Sequence, residues 1–203
     1  MSRIARLALF AAVLVATTAS TADAVTWHNT GSTAFTATGG PTTLTVGGSN
    51  LLCATSTATA AVAAAPSVGA TWSAFGGTTT FGCTVIGVPV VVDCAYAFTA
   101  QSWTSGAPAV TTGTLDMTCG MLMLGTTACH LAGTLAGTYA NPAGATNGKL
   151  TLSTGGTLVT SNPASGTCPM GPGARAHLRE TTLTVSAATG GTGTGGPVIT
   201  RTA

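Results

Sequence analysis

Asp93 and Asp116 each lie one residue from the apolar, cysteine-bearing register of a candidate strand, in Val90 to Phe98 and in Leu115 to Cys119. If those strands pair as a hairpin, the two carboxylates share its polar face, which is the raw material for acid and base chemistry in a hydrolase. Like charges directly opposite one another destabilise a strand pair, so two solvated polar-face residues are the simpler expectation. His28, His130 and His177 are far apart in the chain and fall in no H-E-x-x-H or similar ligand spacing. No G-x-S-x-G elbow, P-loop or dinucleotide fingerprint occurs. The sequence therefore assigns no catalytic, cofactor-binding or metal residue, and no cofactor is expected.

Six cysteines carry the remaining chemistry: Cys53, Cys83, Cys94, Cys119, Cys129 and Cys168. Their even number and the absence of a C-x-x-C spacing point to three structural disulfides rather than to redox or zinc chemistry. Strand parity places them inward. Cys94 shares a face with Val90, Val92, Tyr96 and Phe98, Cys119 with Leu115 and Met117, Cys129 with Leu131, and Cys83 with Phe81 and Val85. Cys119 and Cys129 flank Met121 to Thr127, a candidate hairpin, which suggests a local Cys119–Cys129 bridge completed by Cys53–Cys83 and Cys94–Cys168.

Trp27, Trp72, Trp103, Tyr96 and Tyr139 offer the flat apolar faces on which sugars stack, although core packing accounts for most such residues. Trp103 falls in the loop expected between two strands and is the candidate ligand contact.

The elements that must position these residues are strands. Alternation of polar and apolar residues marks Thr43 to Val46, Lys149 to Leu152 and Thr182 to Val185 as half-buried strands. Val88 to Thr99 and Ala109 to Cys119 read as an antiparallel pair joined by Gln101 to Pro108. Turn signals recur at Gly39-Gly40-Pro41, Gly47-Gly48-Ser49, Gly76-Gly77, Asn141-Pro142, Asn147-Gly148, Gly155-Gly156 and Pro169 to Gly173. No dozen-residue stretch keeps a helical apolar period. The expected fold is an all-β, disulfide-bonded, two-sheet antiparallel sandwich of about ten strands, with a closed barrel as the alternative.

Arg3 and Arg6 precede the apolar run Leu7 to Val15, and Ala22-Asp23-Ala24 follows as an A-x-A cleavage pattern. Residues 1–24 are expected to be a cleaved secretory signal peptide and residues 25–203 a single secreted domain, extracellular or associated with the cell wall. The mature chain keeps Lys149, Arg175, Arg179 and Arg201 against Asp93, Asp116 and Glu180, a formal charge of +1. Four scattered cations cannot neutralise a phosphate backbone, which excludes nucleic acid as a partner. Later apolar runs are too short for a transmembrane segment. Hydrophobic residues nevertheless make up 45% of the chain and mean hydropathy is +0.48, enough to build a core.

The Gly- and Thr-rich texture, with Gly82-Cys83-Thr84, Val92-Asp93-Cys94, Thr118-Cys119 and the closing run Gly196 to Thr202, resembles uncharacterised small secreted β proteins of soil actinobacteria. The resemblance implies a similar β fold and carries no functional residues across. The function expected is that of a noncatalytic extracellular binding or structural module whose partner is a protein or a glycan. The alternatives are a surface binder whose Thr face meets ice or a glycan, and a secreted hydrolase using Asp93 and Asp116. Amino-terminal sequencing of the exported protein should read from Val25, and a secreted form that retains Leu7 to Val15 would show that the leader is not removed.

Overall fold

The computed structural model describes residues 24–153, 156–164, 166–188 and 195–203. The expected signal peptide, residue 24 apart, and most of the Gly/Thr run at 189–196 lie outside them. The described chain is all strand and connection: β1 (Thr26–Gly31), β2 (Ala34–Gly39), β3 (Thr42–Val46), β4 (Ser49–Val62), β5 (Ser67–Val68), β6 (Trp72–Val85), β7 (Val88–Thr104), β8 (Val110–Met123), β9 (Thr126–Ala140), β10 (Gly148–Leu152), β11 (Thr157–Ser161), β12 (Arg175–Leu178), β13 (Thr181–Ala187) and β14 (Pro197–Thr202). The described residues form fourteen strands where about ten were expected, several of them short. All strand pairings are antiparallel, in one eleven-stranded and one three-stranded sheet.

β4, β6, β7, β8 and β9 are 14 to 17 residues long and pair in that order. The outer edges of β4 and β9 are joined by short strands in two tiers. In one tier β3, β12 and β11 connect Ser49–Cys53 of β4 to 130–134 of β9. In the other, β2, β13 and β10 connect 56–61 of β4 to 137–140 of β9. The hydrogen bonding of the large sheet thus returns to its start twice, and its inner face encloses the core. Along β7 the burial alternates as the sequence requires, with Val90, Val92, Cys94, Tyr96 and Phe98 buried and Val91, Asp93 and Ala95 exposed.

The two ends of the closed sheet differ. At one end lie three two-residue hairpin turns, Gly47-Gly48, Ile86-Gly87 and Leu124-Gly125, with both residues of each at positive φ. Such turns match the right-handed twist of the strands they join. The small sheet, β14-β1-β5, lies over the other end. Its Trp27 packs on Trp72 at 6.3 Å between ring centroids and donates Nε1–H to the Gly69 carbonyl. Beneath it Phe75 stacks on Phe98 at 4.7 Å and meets the edges of Phe35 and Tyr139. Gly137 makes room there, since a Cβ at that position would lie 2.1 Å from a Leu115 methyl.

The small sheet is tied on through β14. Asn141, buried just past β9, uses its amide as a substitute backbone: Nδ2–H donates to the Ile199 carbonyl at 2.7 Å and Oδ1 accepts the Ile199 N–H at 2.9 Å. Tyr139 donates its hydroxyl to Pro197 O at 2.6 Å. Trp103 donates Nε1–H to Ile199 O at 3.1 Å. Asn141→Ala should therefore destabilise the fold by about 1–3 kcal/mol for the orphaned Ile199 N–H alone. A fall in the urea midpoint, with loss of hydrogen-exchange protection centred on β14, checks it, and an unchanged midpoint would contradict it.

Candidate functional site

All six cysteines are bridged, as Cys53–Cys83, Cys94–Cys119 and Cys129–Cys168. Cys53–Cys83 is the expected pair; Cys94–Cys168 and Cys119–Cys129 are corrected. Cys94 and Cys119 face each other on the inner side of β7 and β8. The β8–β9 hairpin does not set Cys119 opposite Cys129: its two-residue turn at Leu124-Gly125 pairs Met123 with Thr126, and a bulge at Ala128 then pairs Met121 with Cys129 and Cys119 with Leu131. Cys129 is left to Cys168, which the β11–β12 connection brings over it, with its N–H held by Asn162 Oδ1 at 3.0 Å.

Trp103 is not in a loop. It belongs to β7, which runs on to Thr104, and a bulge at Gln101 reverses the face parity beyond Ala100. The indole that simple alternation directs outward is half-buried against the core, its N–H spent on β14. One side of the ring, with Val25 and Arg201, borders a shallow cleft of about 300 Å³. Trp27, Trp72, Tyr96 and Tyr139 are buried, so they form no exposed stacking platform.

The structure does not bring Asp93 and Asp116 together. Asp93 is opposite Gly120 and Asp116 opposite Ala97, which separates the carboxylates by four residues along the strands, roughly 13 Å. Each accepts a hydrogen bond at 2.6 Å from a neighbouring threonine, Thr80 for Asp93 and Thr134 for Asp116. Among the described residues no group of three or more His, Cys, Asp and Glu side chains is placed to hold a metal ion.

What the fold does assemble is an outer array of hydroxyls. Ser186, Thr36, Thr59 and Thr78 stand in register on β13, β2, β4 and β6, and Thr184, Thr38, Thr57 and Thr80 form the next row. The rows are two residues apart along each strand, roughly 6.6 Å, and neighbours within a row are roughly 4.8 Å apart. Alternation puts the eight hydroxyls on one outer face, while Phe35, Ala37, Ala58, Ala60 and Thr79 of the same strands turn inward. Thr59 and Thr78 hydroxyls hydrogen-bond at 3.1 Å. The β-branched side chains are stiff at χ1, so the array is preorganised. Its sequence trace is the i, i+2 spacing of Thr36/Thr38, Thr57/Thr59 and Thr78/Thr80; the register that aligns the strands left none.

The array runs up to a cleft of about 540 Å³ lined by Pro41, Thr42, Leu52, Ala54, Thr84, Arg179 and Glu180, among others. The cleft exists because three neighbouring lines are interrupted at one level: Gly40-Pro41 separates β2 from β3, Arg179-Glu180 separates β12 from β13, and Ala54 bulges from β4. Buried hydroxyls hold the break. Thr181 donates to Thr42, whose own hydroxyl donates to the Arg179 carbonyl at 3.3 Å, and the Thr181 oxygen lies 2.9 Å from the same carbonyl. That leaves the Arg179 and Glu180 side chains exposed at the rim above Leu52, which is 62% exposed. A guanidinium, a carboxylate, hydroxyls and a small apolar floor suit an uncharged polyhydroxylated ligand, which needs donors, acceptors and a patch for its C–H faces.

Comparison with known proteins finds no matching family model, no matching curated protein and no matching solved structure.

Burial pushes the Tyr96 and Tyr139 phenols well above their ordinary value, because the phenolate is poorly solvated inside the sheet. With both pKa values raised in the folded state, this stabilisation is complete below about pH 10, where the unfolded phenol titrates, and is lost as pH rises from there toward the folded values. Thermal midpoints should accordingly fall above about pH 10. Tyr96→Phe with Tyr139→Phe should flatten that fall, and an equally steep fall in the double variant would assign the alkaline sensitivity elsewhere.

Proposed function

We propose that the chain is an exported, noncatalytic binding protein whose outer hydroxyl face and adjoining cleft hold an uncharged glycan at or outside the cell surface. The observation that carries this reading is the in-register alignment of Thr and Ser hydroxyls on β13, β2, β4 and β6. Scattered threonines would serve solubility alone; aligned and stiff ones present a repeating set of donors and acceptors to a repeating partner. The continuity of the array with the Arg179–Glu180 cleft favours a polymer lying across the face with one residue gripped at the rim. Three disulfides support an oxidising compartment and hence export. The separation of Asp93 from Asp116 supports binding without hydrolysis.

Ice offers the same chemistry of ordered hydroxyls, but a sheet that curls round to meet itself presents a convex face, and successive strands twist by roughly 20–25°. A flexible polysaccharide can follow that surface where a crystal plane cannot. Retention on insoluble cellulose, chitin and cell-wall glycan, beside partitioning into growing ice, tests the reading. Thr38→Val, Thr57→Val and Thr59→Val together remove three hydroxyls with little change in shape or strand preference. Retention on the preferred polysaccharide should fall at least tenfold, as three hydrogen bonds of about 0.5–1.5 kcal/mol imply, while the melting temperature stays put. Undiminished retention would remove the hydroxyl face from the binding site, and partitioning into ice without retention on any polysaccharide would replace the glycan with ice.

A further inference from the structure

We propose that the end of the closed sheet formed by the β6–β7 and β8–β9 hairpins inserts shallowly into a lipid surface through Ile86 and Leu124. Both residues lie at the first position of a two-residue turn, with φ of 47° and 51°. They are 99% and 83% exposed. A left-handed backbone is disfavoured for bulky side chains and is an outlier for β-branched ones. Gly47-Gly48 makes the same turn on the nearby β3–β4 hairpin without that strain, so the fold does not need Ile or Leu at these tips. Two residues that are strained by their backbone and almost entirely in water contribute little to folding, which directs attention to what they contact outside it.

The two tips belong to one surface. Val90 pairs with Met123, so the hairpins are neighbours in the sheet with tips roughly 10 Å apart. Val91, 39% exposed, and the half-buried Val85, Val88, Leu122 and Met123 stand behind them. No charged residue occurs in 85–91 or 120–128. Such an end offers roughly a few hundred Å² of protruding apolar surface, short of the roughly 800 Å² per partner that a stable protein interface needs. A bilayer requires no complementary surface; it accepts apolar side chains on protruding loops one by one. Arg175, beside the Gly47-Gly48 turn on the far side of this end, is a single cation and makes no polybasic rim, so attraction to anionic headgroups does not carry the contact.

The experiment is flotation of the mature, disulfide-bonded protein with vesicles of pure phosphatidylcholine, at about 0.1 M and at about 1 M salt. The wild type should float with the vesicles equally at both. Asn adopts the left-handed turn conformation readily, so Ile86→Asn with Leu124→Asn should raise or preserve the melting temperature while cutting the vesicle-bound fraction at least tenfold. The Thr38, Thr57 and Thr59 valine variant should float like the wild type, which separates this site from the hydroxyl face. The proposal would be overturned by no flotation of the wild type, by flotation of the double variant undiminished, or by flotation confined to anionic vesicles and lost in high salt. Sedimentation showing a wild-type dimer that the double variant dissociates would assign the tips to a protein contact instead.

Discussion

The outer edges of β4 and β9 set the terms for the whole structure. Five long antiparallel strands expose two rows of backbone N–H and C=O groups, and each row must be paired, covered or left to template aggregation. Charged side chains, the usual defence of an edge, are almost absent from this chain. Closure is the remaining solution. Short strands carry the hydrogen bonding from one long edge round to the other in two tiers, so neither edge stays open and one inner face becomes the core.

The site follows from how that closure is made. Had three unbroken strands spanned the gap, the outer wall would be smooth and featureless. Instead β2/β3, β12/β13 and β10/β11 each break midway, the first two beside the Ala54 bulge, and the backbone diverges enough to open a cleft. Thr42 and Thr181 satisfy the carbonyl that the break would otherwise strand in the interior. Arg179 and Glu180, two of the few charges in the chain, occupy the interruption itself, where neither has to face a neighbour across a ladder. The feature that ends pairing is thus the one that supplies the polar rim.

Face parity was legible because it depends on nothing but the two-residue period: Cys94 fell inward and Asp93 outward as the pattern requires. Pairing was not, because a single inserted residue shifts every contact beyond it. The turn at Leu124-Gly125 would set Cys129 opposite Gly120, Ala128 moved it on to Met121, and Gln101 turned Trp103 from solvent to core. Neither bulge carries a Gly or Pro to announce it. The collinear breaks were half visible, since Gly40-Pro41 reads as a turn, whereas Arg179-Glu180 has no turn chemistry and is broken by the hydroxyls of the adjacent Thr181 and of Thr42 from a distant part of the chain. The hydroxyl array was visible only as unaligned pairs, because alignment across β13, β2, β4 and β6 is a property of register.

Threonine resolves a conflict that a protein with so few charges would otherwise face. A closed sheet needs strand-forming residues on both faces, yet Val or Ile outside would leave a large apolar surface in water. Thr keeps the β-branched shape and replaces one methyl with a hydroxyl, so it supports strand formation and remains solvated. The cost falls on the interior. Ala37, Ala58, Ala60, Ala74, Ala100 and Ala176 occupy buried positions where larger side chains would remove more hydrocarbon from water. Cross-strand bridges compensate there: Cys53–Cys83 and Cys94–Cys119 each lock a neighbouring pair in the run β4-β6-β7-β8, and Cys129–Cys168 ties β9 to the connection that leads into the short strands. The same substitution of hydroxyl for methyl that keeps the wall solvated also arranges its hydroxyls in rows, because the antiparallel ladders hold β13, β2, β4 and β6 in one register and Cys53–Cys83 pins the β4–β6 pair from beneath.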